Sequence, residues 1–158
     1  MKTLLDILTP ECIKVPLEAT EKKAAIDELV DLLAENGKVK NPEAIKKSVW
    51  EREQTKSTGI GLGLAIPHGK APQEENIAMA IGSLAEPIEF GSVDKKPVRL
   101  IVLIVSPPGK TTDHIQVLAR ISRVMTDDEF RNNVYNAESA QELYELIKNK
   151  EMTMPASR

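Results

Sequence analysis

The chain has 158 residues, of which 41% are hydrophobic and 28% charged, with a formal net charge of −3. That is one domain's worth of chain, long enough to bury its own core, and its composition is globular rather than disordered. Dispersed lysines and arginines leave no nucleic-acid footprint, Leu100–Val105 is too short an apolar run to span a bilayer, and the single Cys12 can form no internal disulfide.

In chain order, Cys12–Leu17 alternates apolar residues at period two and reads as a short edge strand, with Pro16 in it. Thr20 is positioned to cap a helix bearing Ile26, Leu29, Val30 and Leu33 at helical spacing, and Gly37 stands where a left-handed stop belongs. Asn41-Pro42 starts a second helix, with Ile45 and Val49 inward, an end near Gln54 and Arg52 in its last turn. The glycine-rich lead-in Gly59–Gly63 runs into Leu64–Gly69, which reads as a strand.

Ile77–Leu84 alternates large and small residues, a strand closely packed on its second face. Val98–Val105 is nearly unbroken aliphatic, as expected of a central strand covered on both sides. After the rigid loop Ser106–Gly109, Thr112 or Asp113 is expected to cap a helix with His114, Leu118, Ile121 and Met125 in one stripe. Capping boxes at Thr126…Glu129 and Ser139…Glu142 open two more helices, the last burying Leu143, Leu146 and Ile147. The expected fold is a three-layer α/β sandwich, a mixed parallel and antiparallel sheet of about five strands flanked by helices. One domain covers residues 1–150, and 151–158 form a tail. The N-terminus lacks a signal-peptide apolar stretch, so a cytoplasmic location is expected.

The two histidines have unusual settings. His68 ends an apolar strand between Pro67, which fixes φ, and Gly69, which removes bulk. An imidazole so framed can present one nitrogen lone pair outward while the other nitrogen is tied to a local acceptor, as a nucleophile requires; the plainer reading is a half-buried histidine in a turn. His114 lies in the first turn of its helix, where unpaired N–H groups favour a nearby phosphate. It reads equally as a core-edge residue bonded to a carbonyl. Arg52 is either a bidentate phosphate ligand or a solvated helix-end arginine.

Gly59–Gly63 is neither a phosphate-cradling loop, since no Gly-Lys-Ser/Thr follows, nor a dinucleotide fingerprint, since a strand follows. His68, His114, Asp113 and Cys12 include no ligand pair at zinc spacing. Ser57 and Ser106 lack a nucleophile elbow. Glu74-Glu75 and Asp127-Asp128 read as solvated faces or helix-dipole partners.

From Glu53 to Gly69 the residues become specific. Glu53-x6-Ile60-Gly61-x2-Leu64-Ala65-Ile66-Pro67-His68-Gly69 resembles the active-site signature of the enzyme IIA domains of the fructose–mannitol class. These belong to the bacterial phosphoenolpyruvate:sugar phosphotransferase system, and nitrogen-regulatory IIA proteins share the signature. The likeness extends over residues 3–150. It implies that His68 takes phosphate from the phosphohistidine of the carrier HPr and passes it to a IIB domain of a permease, the only link to a membrane. His114 would be the second active-site histidine and Arg52 the active-site arginine. No cofactor is implied, the phosphate deriving from phosphoenolpyruvate through HPr. A nitrogen-regulatory role, in which phosphorylation controls binding to other proteins, is the alternative. Leu62 departs from the pattern, since many relatives carry Asn there.

Overall fold

The aliphatic run at 98–105 forms the centre of a mixed sheet, as a strand covered on both faces should. The computed structural model describes residues 3–154. Its strands are β1 (Ile13–Lys14), β2 (Gly59–Gly61), β3 (Leu64–Ala65), β4 (His68–Lys70), β5 (Ala78–Ile88) and β6 (Val98–Ser106). Its α-helices are α1 (Lys22–Glu35), α2 (Pro42–Thr55), α3 (Thr111–Val124), α4 (Asp128–Tyr135) and α5 (Ala140–Met152), with short 3₁₀ turns at Leu4–Asp6, Pro10–Cys12 and Pro108–Lys110. No helix among the described residues is long and apolar enough to cross a membrane.

β6 pairs antiparallel with β5 on one side and parallel with both β3 and β4 on the other. β1 extends the sheet parallel to β5, and β2 closes the opposite edge antiparallel to β3. β3 and β4 keep a single register: Leu64 is opposite Leu100, Ala65 opposite Ile101, His68 opposite Ile104 and Lys70 opposite Ser106. They are two halves of one strand, interrupted where Pro67 has no N–H to offer. The Pro67 carbonyl still accepts from Ile104 N. The sequence picks out four strands within an expected sheet of about five; the observed six add β2, formed inside the glycine-rich lead-in, and the break at Pro67.

From Leu100 to Val105 successive side chains enter opposite layers. Ile101, Leu103 and Val105 pack towards α1 and α2, and Leu100, Val102 and Ile104 pack towards α3, α4 and α5. β5 divides likewise, with Ala78 and Ala80 on the first face and Met79 and Ile81 on the second. Its small face is required: a Cβ at Gly82 would lie 2.5 Å from the Leu17 side chain. The helical spacing of α1 holds, with Ile26, Leu29, Val30 and Leu33 all buried, and Gly37 adopts φ +70° past its end. Asn41 caps α2 by accepting from Ala44 N.

Several local expectations shift. The Cys12–Leu17 strand contracts to Ile13–Lys14, because Pro10–Cys12 winds into a 3₁₀ turn ahead of it. Glu21, not Thr20, caps α1, accepting from Ala24 N. The turn at Pro108–Lys110 runs straight into α3, so Thr112 and Asp113 lie inside the helix and neither caps it. The buried stripe of α3 is Val117, Arg120, Ile121 and Val124, rotated from the expected one, with His114 and Leu118 only half-buried. Asp127 caps α4, while Thr126 donates to Arg123 O and closes α3. Ser139 caps α5, but the Glu142 carboxylate turns back to Glu138 N. Leu146 is half-buried beside Leu143 and Ile147.

α5 continues through Met152. Glu151 is thus not part of a loose tail: it is buried, pairs with Arg120 Nε at 2.6 Å and accepts from Leu4 N. Residues 155–158 of the expected tail lie outside those described.

Candidate functional site

His68 opens β4 directly after the break at Pro67. Its Nδ1 lies 2.9 Å from the Ile66 carbonyl oxygen. A carbonyl can only accept, so Nδ1 carries a hydrogen, and in the neutral ring the lone pair is on Nε2. The ring is half-buried and lines a cleft of about 440 Å³. This is the frame expected from Pro67 and Gly69, with one refinement. The space left by Gly69 is taken by the protein's own α2: a Cβ there would stand 2.8 Å from Val49 Cγ2 and 3.1 Å from Val49 N. Ser48 Oγ donates to Lys70 O at 3.0 Å and fastens α2 along β4.

His114 enters the same cleft from the first turn of α3. The two imidazoles meet edge to face, centroids 5.2 Å apart and planes at 64°. His114 Nδ1 is 2.6 Å from Ser106 Oγ, so its partner is a hydroxyl rather than a carbonyl. Burial lowers the His114 pKa below the ordinary 6.5, and the neighbouring His68 and Lys70 lower it further. The imidazole is therefore neutral at pH 7.

Arg52 lines the cleft from the last turn of α2. Its guanidinium Nη1 donates to Lys56 O at 3.0 Å and, more weakly, to Thr55 Oγ1 at 3.4 Å. It thus closes its own helix end at the cleft wall. The structure brings all three singled-out residues around one cavity.

Sequence reading missed Lys70, Ser106 and Ser48, which line the cleft with them. One sequence signal pointed to Lys70. Lys70 stands two residues beyond His68, on the same face of a period-two strand. Parallel pairing then sets Ser106 opposite Lys70. Also missed was the work of Glu53. It is 3% exposed, and its carboxylate accepts from Thr58 N (2.8 Å) and Thr58 Oγ1 (2.6 Å) and pairs with Lys22 Nζ (2.9 Å). It joins α1, the end of α2 and the start of β2.

The glycine-rich lead-in packs closely against the 91–94 loop: a Cβ on Gly59 would meet Ser92 Oγ at 2.2 Å. Leu62 lies in that neighbourhood, outside the cleft lining. It is exposed and left-handed (φ +61°), its N–H donating to Asp94 Oδ2 (3.1 Å) and its carbonyl accepting from Tyr135 OH (2.6 Å).

Residues 6–150 match the family described as "Phosphoenolpyruvate-dependent sugar phosphotransferase system, EIIA 2". A nitrogen regulatory protein of Bradyrhizobium diazoefficiens is 36% identical over 145 residues, 91% of this chain and 94% of that one. The fructose-specific EIIABC component of Bacillus subtilis is 34% identical over 144 residues, 91% of this chain but only 23% of that longer protein. The crystal structure of nitrogen regulatory protein IIA-Ntr from Neisseria meningitidis superposes with a TM-score of 0.83 at 28% identity, covering 90% of this chain and 97% of that one.

Proposed function

The chain belongs to the EIIA 2 family of the phosphoenolpyruvate-dependent sugar phosphotransferase system, and from that membership we propose that it is a cytoplasmic phosphoryl carrier working through His68. The donor is the phosphohistidine of HPr, charged in turn from phosphoenolpyruvate, and the acceptor is a IIB component of a fructose- or mannitol-type permease. No nucleotide or other cofactor enters the reaction.

The observation that carries this reading is the Nδ1 contact of His68 with the Ile66 carbonyl, which in the neutral ring places the lone pair on Nε2, with His114 in edge contact. The Nε2 lone pair forms the new N–P bond as the bond from phosphorus to the HPr imidazole breaks. That imidazole departs with the bonding pair, and His68 has no proton to lose at Nε2. Such transfers ask chiefly for positioning and charge stabilisation. Arg52, released from the Lys56 carbonyl, can grip two phosphoryl oxygens at once. Lys70 supplies a second positive charge, and His114 a neutral donor.

The test is transfer of labelled phosphate from phosphoenolpyruvate through enzyme I and HPr. Acid-labile, base-stable label is expected on His68 and absent from His68→Ala. Label persisting in that variant, or none on the native chain, would overturn the assignment. A second reading rests on the 36% identity to a nitrogen regulatory protein: phosphorylation of the same His68 would control binding to other proteins. Discharge of the label by a IIB domain supports transport, whereas retention against every fructose- and mannitol-type IIB domain supports regulation.

A further inference from the structure

We propose that Ser106 is a positioning residue that holds His114 in the tautomer opposite to that of His68. The inference rests on the phosphoryl-carrier reading above for its purpose, but not for its geometry. Ser106 is the last residue of β6 and is buried, and its hydroxyl oxygen lies 2.6 Å from His114 Nδ1. No other hydrogen-bond partner is within reach of that hydroxyl among the described residues. If the imidazole donated, the hydroxyl hydrogen would lack an acceptor in a buried position, an arrangement folded proteins avoid. The hydroxyl therefore donates to the Nδ1 lone pair, and the single ring hydrogen of neutral His114 resides on Nε2.

His68 is set the other way round. The Ile66 carbonyl takes its Nδ1 hydrogen, so its lone pair is on Nε2. Two imidazoles in edge contact thus offer the same nitrogen in opposite states: a lone pair on His68 Nε2 to meet phosphorus, and an N–H on His114 Nε2 to meet a phosphoryl oxygen once phosphorus is attached. With both in the same tautomer, His114 would turn a lone pair towards an anionic group and could only repel it. The register of the sheet supports the device. Ser106 is opposite Lys70, two residues along the strand from His68, so the hydroxyl that orients one histidine belongs to the ladder that carries the other.

The tautomers can be read directly in the native protein, with ¹⁵N-labelled histidine and long-range proton–nitrogen correlation spectra above the titration of both rings. His68 should show a protonated Nδ1, and His114 an unprotonated Nδ1 with a protonated Nε2. Ser106→Ala should convert His114 to a mixture of tautomers, slow transfer from phosphorylated HPr roughly tenfold or more, and leave the melting temperature nearly unchanged. Ser106→Thr, which restores the hydroxyl, should recover both spectrum and rate. A native His114 protonated at Nδ1, or Ser106→Ala transferring at the native rate, overturns the proposal. Should Ser106→Ala fail to fold, the native spectrum alone decides. A native chain that accepts no phosphate defeats the carrier reading instead, and the spectrum still reports on Ser106.

Discussion

Adding one methyl group to the residue after His68 should loosen the wall of the cleft. Gly69 is absent from the glycines with positive φ, so Gly69→Ala carries no left-handed strain and its effect is one of packing. The new Cβ would stand 2.8 Å from Val49 Cγ2, 3.0 Å from Ser48 Oγ and 3.1 Å from Val49 N. Carbon atoms normally rest about 3.5–4.0 Å apart, so α2 must retreat by several tenths of an ångström or more. Val49 cannot turn aside: it is fully buried, and a β-branched side chain in a helix has one strongly preferred rotamer.

Overpacking of this kind costs about 1–3 kcal/mol, offset by about 0.4–1 kcal/mol because alanine restricts the unfolded chain. The net loss is roughly 1–2 kcal/mol, which at about 2–4 °C per kcal/mol lowers Tm by roughly 2–8 °C for a domain of this size. Displacement of α2 also strains the Ser48–Lys70 bond and moves Arg52, so transfer to His68 should slow. Calorimetry of Gly69→Ala, Val49→Ala and the double variant isolates the contact: the double should be less destabilised than the two single losses added together. A Gly69→Ala protein melting at or above the native temperature would refute the close approach of α2 to β4.

Glu53→Ala should cost about 1–3 kcal/mol in a denaturant titration, because the buried Thr58 N–H loses its acceptor. Leu62→Asn should raise Tm by a few degrees, relieving a left-handed leucine that costs about 1 kcal/mol while keeping both backbone hydrogen bonds. Arg52→Lys should slow transfer roughly ten- to hundredfold in rapid-quench measurements, since an ammonium cannot hold two phosphoryl oxygens as a guanidinium does; rates within about twofold of native would exclude Arg52 as a phosphate ligand. The depressed pKa of His114 gives stability a definite pH dependence. This contribution is level above the free imidazole's 6.5 and falls as pH drops from there towards the folded value, because the unfolded chain takes up the proton first. His114→Gln should flatten that part of a Tm-against-pH curve.

The sheet was legible because its signals are periodic. Val98–Val105 could only be a strand covered twice, and the large–small alternation of Ile77–Leu84 already announced two unlike faces. The histidines were legible for another reason: Pro67 and Gly69 restrict His68 locally, so its geometry is written within a few residues. What escaped depends on residues distant in sequence. Ser106 came to the cleft that holds His68 only when parallel pairing aligned it with Lys70. Glu53 opened the signature, but its role was not legible until the fold surrounded it with Lys22 and Thr58. Arg120, on the polar side of the expected stripe of α3, faces inward because Glu151, thirty-one positions on, gives it a buried counter-charge. The misplaced caps have a local cause: Thr20 and Glu21 are adjacent acceptors, as are Thr126 and Asp127, and the backbone at the entrance to the helix chooses between them.

The single register of β3 and β4 bears on how a partner would tell the two forms of this protein apart. His68 is not carried on a swinging loop. Its backbone belongs to the central ladder, opposite Ile104, with the Pro67 carbonyl bonded to Ile104 N before it, Gly69 pressed under α2 after it, and Ala71 N tied to Ser106 O beyond. On the proposed reaction, a phosphoryl group arriving at Nε2 adds about −1.5 to −2 charges beside Arg52 and Lys70, while the main chain beneath has nowhere to go. Loaded and empty protein would then present the same outline with a different electrostatic sign at one spot. A partner would read the message as potential rather than shape, and each exchange would require no refolding of the messenger.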